Sequence, residues 1–245
     1  MKNIKLTIEY DGTDFLGWQK QSKGRTVQEE IEKALSKILK KDVKINGSGR
    51  TDASVHAKGQ VANFREAFTI PVERLPVALN SVLPDDIAIL SAIEMNYDFH
   101  ARYNAMGKKY VYKIYNSNIR SPLSRNYVYY VPQDLDIEKM KMATKYFLGT
   151  HDFKGFMASG SSVKETVRTI YNLDITEKEK QITVEVSGNG FLYNMVRIIT
   201  GTLVDVGRGK INLNDLENII ASGDRNRSGH TASAQGLYLY EVYYK

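Results

Sequence analysis

The 245-residue chain contains no cysteine. That excludes disulfides, a thiol nucleophile and every zinc site built with a thiolate. Histidine is scarce: His56, His100, His151 and His230 lie far apart, and no H-E-x-x-H pair occurs. No metal is expected. No apolar run reaches the roughly 18–20 residues that a membrane span needs. The N-terminal stretch MKNIKLTIEYDG alternates apolar and polar residues and carries an acid, unlike the apolar block of a secretory signal. The expectation is a cytoplasmic protein with no membrane partner. There is also no P-loop, no G-x-G-x-x-G opening a helix after a strand, and no G-x-S-x-G elbow.

What is present is the composition of a folded domain, 42% hydrophobic and 25% charged. The formal charge is +6, a mild lean toward polyanionic partners that lies almost wholly beyond Ala105. Ile4, Leu6 and Ile8 alternate as a strand over 3–10. A turn-rich connection follows through Gly12, Gly17 and Gly24. Thr26-Val27-Gln28-Glu29 has the form of a capping box, and Val27, Ile31, Ala34, Leu35, Ile38 and Leu39 make a helical stripe. Val43–Ile45 reads as a short strand, with Val61–Phe64 as its neighbour. Further on, 109–115, 167–175, 181–187 and 237–243 read as strands, the middle two joined by the charged turn EKEK. Residues 137–148, 194–206 and 212–221 read as helices, the last capped by Asn212 or Asn214. The alternation predicts an α+β protein of two similar lobes, 1–105 and 106–245, each a mostly antiparallel sheet with packed helices. A cleft between such lobes is the default place for a site.

Three segments carry candidate chemistry. In GSGRTDASVHAKGQ, Gly47 and Gly49 permit backbone angles closed to other residues, and Arg50 and Asp52 share one side of an extended segment. Asp52 is either a nucleophile or the acceptor of a solvated Asx-turn. In RYNAMGKKYVY, Arg102 adjoins Tyr103, and Lys108 and Lys109 precede Tyr110. Cations that neutralise phosphates beside a ring that stacks on an unpaired base would suit nucleic acid; ordinary strand tyrosines would look the same. In SGNGFLYNMVR a glycine turn leads into a helix that Asn194 can cap. Arg197 then sits in its first turn, where the helix dipole gives a cation nothing. It serves an external acid or it is a surface arginine, and Arg168 is equally ambiguous.

Taken in order, IEYDGTDFLGWQKQ, TVQEEIEKAL, GRTDASVHAKGQVANF, LNSVLPDDI, FHARYNA, KKYVYKIYN, FLGTHDF, NGFLYNMVRIITGTLVDVG and GLYLYEVYY resemble the TruA family of tRNA pseudouridine synthases over nearly the whole chain. The resemblance implies two related lobes with the site in the cleft between them, a homodimer, tRNA as partner, and neither cofactor nor metal. It implies isomerisation of uridine to pseudouridine, most commonly on the 3′ side of the anticodon stem-loop. Asp52 matches the family's essential aspartate, attacking either C1′ of the sugar or C6 of the uracil. Tyr110 matches the tyrosine that stacks on the target base, Arg197 the arginine that pairs with the aspartate, and Leu192 an apolar residue of the uracil pocket. Arg50 would hold the loop and the RNA backbone; Arg102, Lys108, Lys109 and Arg168 would contact phosphates. Two residues depart from the pattern: Ser54 stands where glycine is usual, and Ser233 where proline is common. They leave open a paralogue acting at another RNA position. A catalytically lost RNA-binding or chaperone protein is the alternative from another class.

Overall fold

A computed structural model describes residues 1–160 and 163–245. By contacts the chain divides into two compact units, Met1–Met106 with Tyr238–Lys245, and Gly107–Leu237. None of the helices among the described residues is long and apolar enough to cross a membrane.

The first unit opens with β1 (Lys2–Tyr10), then α1 (Val27–Leu39), β2 (Asn46–Gly47), β3 (His56–Glu66), α2 (Leu75–Asn80) and β4 (Ile87–Met95). β1 lies between β3 and β4, antiparallel to both. Its alternation puts Ile4, Leu6 and Ile8 at zero exposure, the arrangement the period of two predicts. α1 buries Val27, Ile31, Ala34 and Leu35.

Two local expectations fail for identifiable reasons. Thr26 has the extended backbone of an N-cap but makes no capping bond, and its buried Oγ1 has no partner. The first helical N–H groups are taken instead by an upstream loop: Val27 N–H donates to the Gly17 carbonyl (3.2 Å) and Gln28 N–H to that of Trp18 (3.0 Å). Glu29, freed from a capping box, faces Lys20 and Lys33. Val43–Ile45 is not a strand either. Its backbone bonds to side chains of α1: Val43 N–H donates to Ser36 Oγ, Ile45 N–H donates to Glu32 Oε1, and the Ile45 carbonyl accepts from Gln28 Nε2. The ladder to β3 begins only at Asn46.

The second unit contains β5 (Gly107–Asn116), β6 (Tyr129–Val131), α3 (Ile137–Thr144), β7 (Gly149–Asp152), β8 (Val167–Lys178), β9 (Gln181–Gly188), α4 (Met195–Gly207) and α5 (Leu216–Ser222). β9 runs antiparallel to both β5 and β8, and β7 pairs with β8. Lys178 pairs with Gln181, so the charged turn contracts to two residues, and Glu179 takes the positive φ (57°) that such a hairpin requires. The α3 helix is shorter than expected, its last turn tightening to a 3₁₀ turn over Lys145–Phe147. Asn212 caps as expected, accepting from Asn214 N–H. α4 is mostly apolar and every residue of it is buried except Arg197, as for a central helix.

The last strand, β10 (Leu237–Tyr243), returns to the first unit. It pairs in parallel with β3, Tyr238 opposite His56 and Leu239 opposite Ala57. Residues 238–245 therefore belong with the first unit, and the second lobe ends earlier than the sequence reading placed it. The fold is mixed α+β, with mostly antiparallel strands and packed helices in each unit.

Candidate active site

The segment around Asp52 is pinned on both flanks. On one side Gln60, fully buried on β3, accepts from Ser48 Oγ (2.6 Å) and donates to the Gly49 carbonyl (3.1 Å). On the other, the Thr51 carbonyl accepts from Trp18 N–H (3.1 Å), and Thr51 Oγ1 meets the Tyr10 hydroxyl at 2.7 Å. Burial pushes the Tyr10 phenol well above its ordinary pKa, against smaller opposing effects of its bonds to Thr51 and Gln60, so it stays neutral in this role. The Trp18 indole covers Gly47, where an added Cβ would stand 2.5 Å from its Nε1. Between these anchors lie exposed Arg50 and half-buried Asp52.

The loop that caps α1 also holds this segment. Gly17, at φ +93°, lies so close that a Cβ on it would stand 2.5 Å from the Thr51 carbonyl oxygen and 3.0 Å from the Asp52 carbonyl carbon. The carbonyls of Gly17 and Trp18 receive the first N–H groups of α1. One short stretch thus joins the helix N-terminus to the Asp52 backbone. Arg25 stacks over Phe15 at 4.2 Å and grips Asp86 through Nη1 and Nη2, while the Phe15 carbonyl accepts from Ser54 N–H.

Ser54 occupies the left-handed region at φ +62°. A residue with a Cβ costs about 1–2 kcal/mol there, and glycine gives back part of that through its freer unfolded chain. Ser54→Gly is therefore expected to raise stability by about 0.5–1 kcal/mol. Equal or lower melting temperature in the variant would show that the serine hydroxyl, 3.5 Å from the Thr13 carbonyl, compensates for the strain.

In the second unit, Tyr110 on β5 is buried, with the Phe191 ring edge-on at 5.1 Å. Leu192 is buried beside it in sequence, its N–H directed at Met195 Sδ. Asn194 does not cap α4. Its φ is +60°, and its Oδ1 accepts from Arg197 Nη1 at 2.8 Å. Arg197 Nε donates to the Ala232 carbonyl at 2.7 Å. So the one partly exposed residue of α4 has a fixed guanidinium, which a surface arginine would lack.

The 228–232 segment that supplies the Ala232 carbonyl is itself anchored to α4. Gly229 N–H donates to Thr202 Oγ1, and His230 donates to Asp205 Oδ2 through both its backbone N–H and Nδ1. The Tyr129 hydroxyl meets His230 Nε2 at 2.9 Å. Burial alone would push Asp205 up, but the bonds from His230 outweigh it and hold the carboxyl below its ordinary pKa. A depressed acid stabilises the fold above the unfolded pKa of about 4, and that contribution is lost as pH falls through the folded value. The stability gap between wild type and Asp205→Asn should therefore narrow below about pH 4 in urea melts. A gap that is constant with pH would contradict this ionisation.

The remaining candidates each have their own surroundings. Lys109 is paired with Glu185 at 2.6 Å. Lys108 is half-buried opposite Gly188. Arg168 is turned back on the carbonyls of Glu165 and Val167. Arg102 is exposed in the first unit, its guanidinium 5.9 Å from the Tyr103 ring centre. The sequence reading missed the residues that position the Asp52 loop, namely Tyr10, Gly17, Trp18 and Gln60. The glycine in GW was its only signal, read simply as a turn. No three His, Asp or Glu side chains among the described residues come together as metal ligands would.

Comparison with known proteins gives these features a context. The family described as tRNA pseudouridine synthase matches residues 6–104 and 143–245. Proteins named tRNA pseudouridine synthase A are 53% identical in Acetivibrio thermocellus, over all of both chains, and 52% in Ruminiclostridium cellulolyticum, again over all of both. A protein of Clostridium perfringens named tRNA pseudouridine synthase A 2 is 51% identical over the same full extent. A chain of a Cbf5-Nop10-Gar1 complex aligns with 96% of this chain and 48% of its own, at 14% identity and a TM-score of 0.42, too distant a likeness to carry weight. The chain belongs to the TruA family of tRNA pseudouridine synthases. Members are isomerases, and uridine in tRNA is the group they rearrange.

Proposed function

We propose that this enzyme converts uridine to pseudouridine on the 3′ side of the tRNA anticodon stem-loop, using Asp52 as a covalent nucleophile. The base leaves C1′, turns, and rejoins through C5; no redox change or net hydrolysis occurs, so no cofactor takes part. Asp52 attacks C1′ or C6 while the target nucleotide is flipped out of its stack. Tyr110 stacks on the freed base and Leu192 lines its pocket. Arg197 keeps the carboxylate ionised, since an adjacent guanidinium favours the charged form. Arg50, Arg102, Lys108, Lys109 and Arg168 contact the RNA backbone, which positions without reading sequence. The protein works in the cytoplasm as a homodimer.

The observation that carries this reading is the loop itself. A solvated Asx-turn needs no scaffold, yet Gln60, Tyr10, Trp18 and Gly17 immobilise the backbone on either side of Asp52. Such support is what a positioned reactive group requires. The test is tritium release from tRNA labelled at uridine C5, followed by mapping of the modified positions. Release from the anticodon stem-loop is expected. Modification confined to another region would replace the proposed target with that of a paralogue, and no release from any tRNA or from total RNA would remove the enzymatic reading.

A further inference from the structure

The loop after β4 has a buried foundation and an exposed aromatic top. Asn3, 2% exposed, donates through Nδ2 to the carbonyls of Asn96, Tyr97 and Phe99. Asn63, 1% exposed, donates to Asn3 Oδ1 and accepts from Ala101 N–H. The Tyr244 hydroxyl donates to the Ala101 carbonyl at 2.6 Å. The turn beyond closes on itself: His100 N–H donates to Asn104 Oδ1, and Asn104 N–H to the His100 carbonyl. Arg102 N–H donates to His100 Nδ1, which fixes that ring.

From this base the Tyr103 ring stands 77% exposed. The His100 ring lies 4.3 Å from it, tilted by 36°, and the Arg102 guanidinium lies 5.9 Å from its ring centre. Arg102 makes no ion pair with any described residue. None of the bonds that hold the loop uses the Tyr103 side chain. A large ring held out in water on a rigid support, beside an unpaired cation, is an arrangement for binding rather than for folding. The chemistry of the pair selects the ligand: a flat π-face stacks on an unpaired base, and a guanidinium faces the phosphate that follows it.

We infer that Tyr103, braced by His100 and accompanied by Arg102, is a stacking platform for an unpaired nucleotide of the tRNA, separate from the nucleotide that reacts. This rests on the reading of the chain as a tRNA-modifying enzyme. Tyr103 acts in binding and takes no part in bond exchange.

The experiment compares wild type, Tyr103→Ala, Tyr103→Leu and Tyr103→Phe. Each is titrated with an unmodified tRNA transcript, with a short single-stranded oligoribonucleotide, and with a blunt RNA duplex. Tyr103→Ala and Tyr103→Leu should bind tRNA and single strand about tenfold more weakly or worse, with duplex binding unchanged. Tyr103→Phe should behave as wild type. At saturating tRNA all four should release tritium at similar rates, so the loss appears in KM and not in kcat. Wild-type affinity in Tyr103→Ala would overturn the inference, as would equal losses on single strand and duplex. A change in sedimentation with RNA binding intact would instead assign the ring to contact with a second copy of the chain. Wild-type protein inactive on every tRNA would remove the enzymatic reading, whatever the binding data show.

Discussion

Asp52→Asn is expected to lower pseudouridine formation by about 10⁴-fold or more while tRNA binding changes little. The substitution is nearly isosteric. The loop's anchors use the backbone of Gly49 and Thr51, the Thr51 hydroxyl and the Ser48 side chain, and the Asp52 carbonyl accepts from Val55 N–H. None of these bonds needs the carboxylate, so the variant should fold. What it loses is the charged oxygen proposed to form the covalent bond, and a neutral amide does not replace it. A single-turnover assay with tritiated tRNA measures the chemistry, and filter binding measures the complex. Activity within about tenfold of wild type would sink covalent catalysis by Asp52. Retained binding and a retained cellular role without turnover would favour the RNA-binding alternative.

The companion substitutions separate the roles of the other two residues. Tyr110→Phe keeps the ring that meets Phe191 edge-on and removes only the hydroxyl. A loss confined to kcat would give the hydroxyl a part in proton removal from C5. Arg197→Lys keeps a charge but cannot reproduce the fork that reaches Asn194 Oδ1 and the Ala232 carbonyl together. It should therefore behave more like a deletion than a conservative change.

Much of this architecture is legible where one residue type repeats at a fixed period. The alternation of Ile4, Leu6 and Ile8 and the stripe of α1 each follow from burying one face. β4 is missed because only its start alternates: Ile87 and Ile89 are buried, whereas Leu90 and Ile93 are exposed. The capping box at Thr26 is misread because tertiary carbonyls, those of Gly17 and Trp18, take the N–H groups a local cap would take. Val43–Ile45 is misread for a similar reason, since the side chains of Glu32, Ser36 and Gln28 replace a neighbouring strand. At the site, Asp52 stands out through the GRTD pattern, and Ser54 through its departure from it; its φ of +62° is the backbone angle that glycine would have served. The supports stay hidden because they join residues far apart in sequence, as Tyr10 and Thr51 are. No periodicity or local motif encodes a contact of that kind.

Gly17→Ala should be strongly damaging, because it combines an unfavourable backbone angle with a backbone clash. Two independent effects act on the same atom. At φ +93° an alanine is strained by roughly 1–3 kcal/mol. Its Cβ would also press to 2.5 Å from the Thr51 carbonyl oxygen, and that oxygen is backbone, with no flexible side chain to swing aside. Overpacking of this kind costs about 1–3 kcal/mol more. The expected loss is about 2–6 kcal/mol, which for a chain of this size lowers the melting temperature by about 4–24 °C. The two ways the protein can relax have different consequences. If the 11–25 loop retreats, the carbonyls of Gly17 and Trp18 leave the N–H groups of Val27 and Gln28, and the damage falls on α1. If Thr51 retreats, Asp52 moves with it, and activity falls well below the melting temperature while tRNA binding persists. Amide exchange at Val27 and Gln28, measured beside single-turnover rates, tells the two apart. A variant that melts and reacts like wild type would show that the close approach of Gly17 to Thr51 does not hold the Asp52 loop in place.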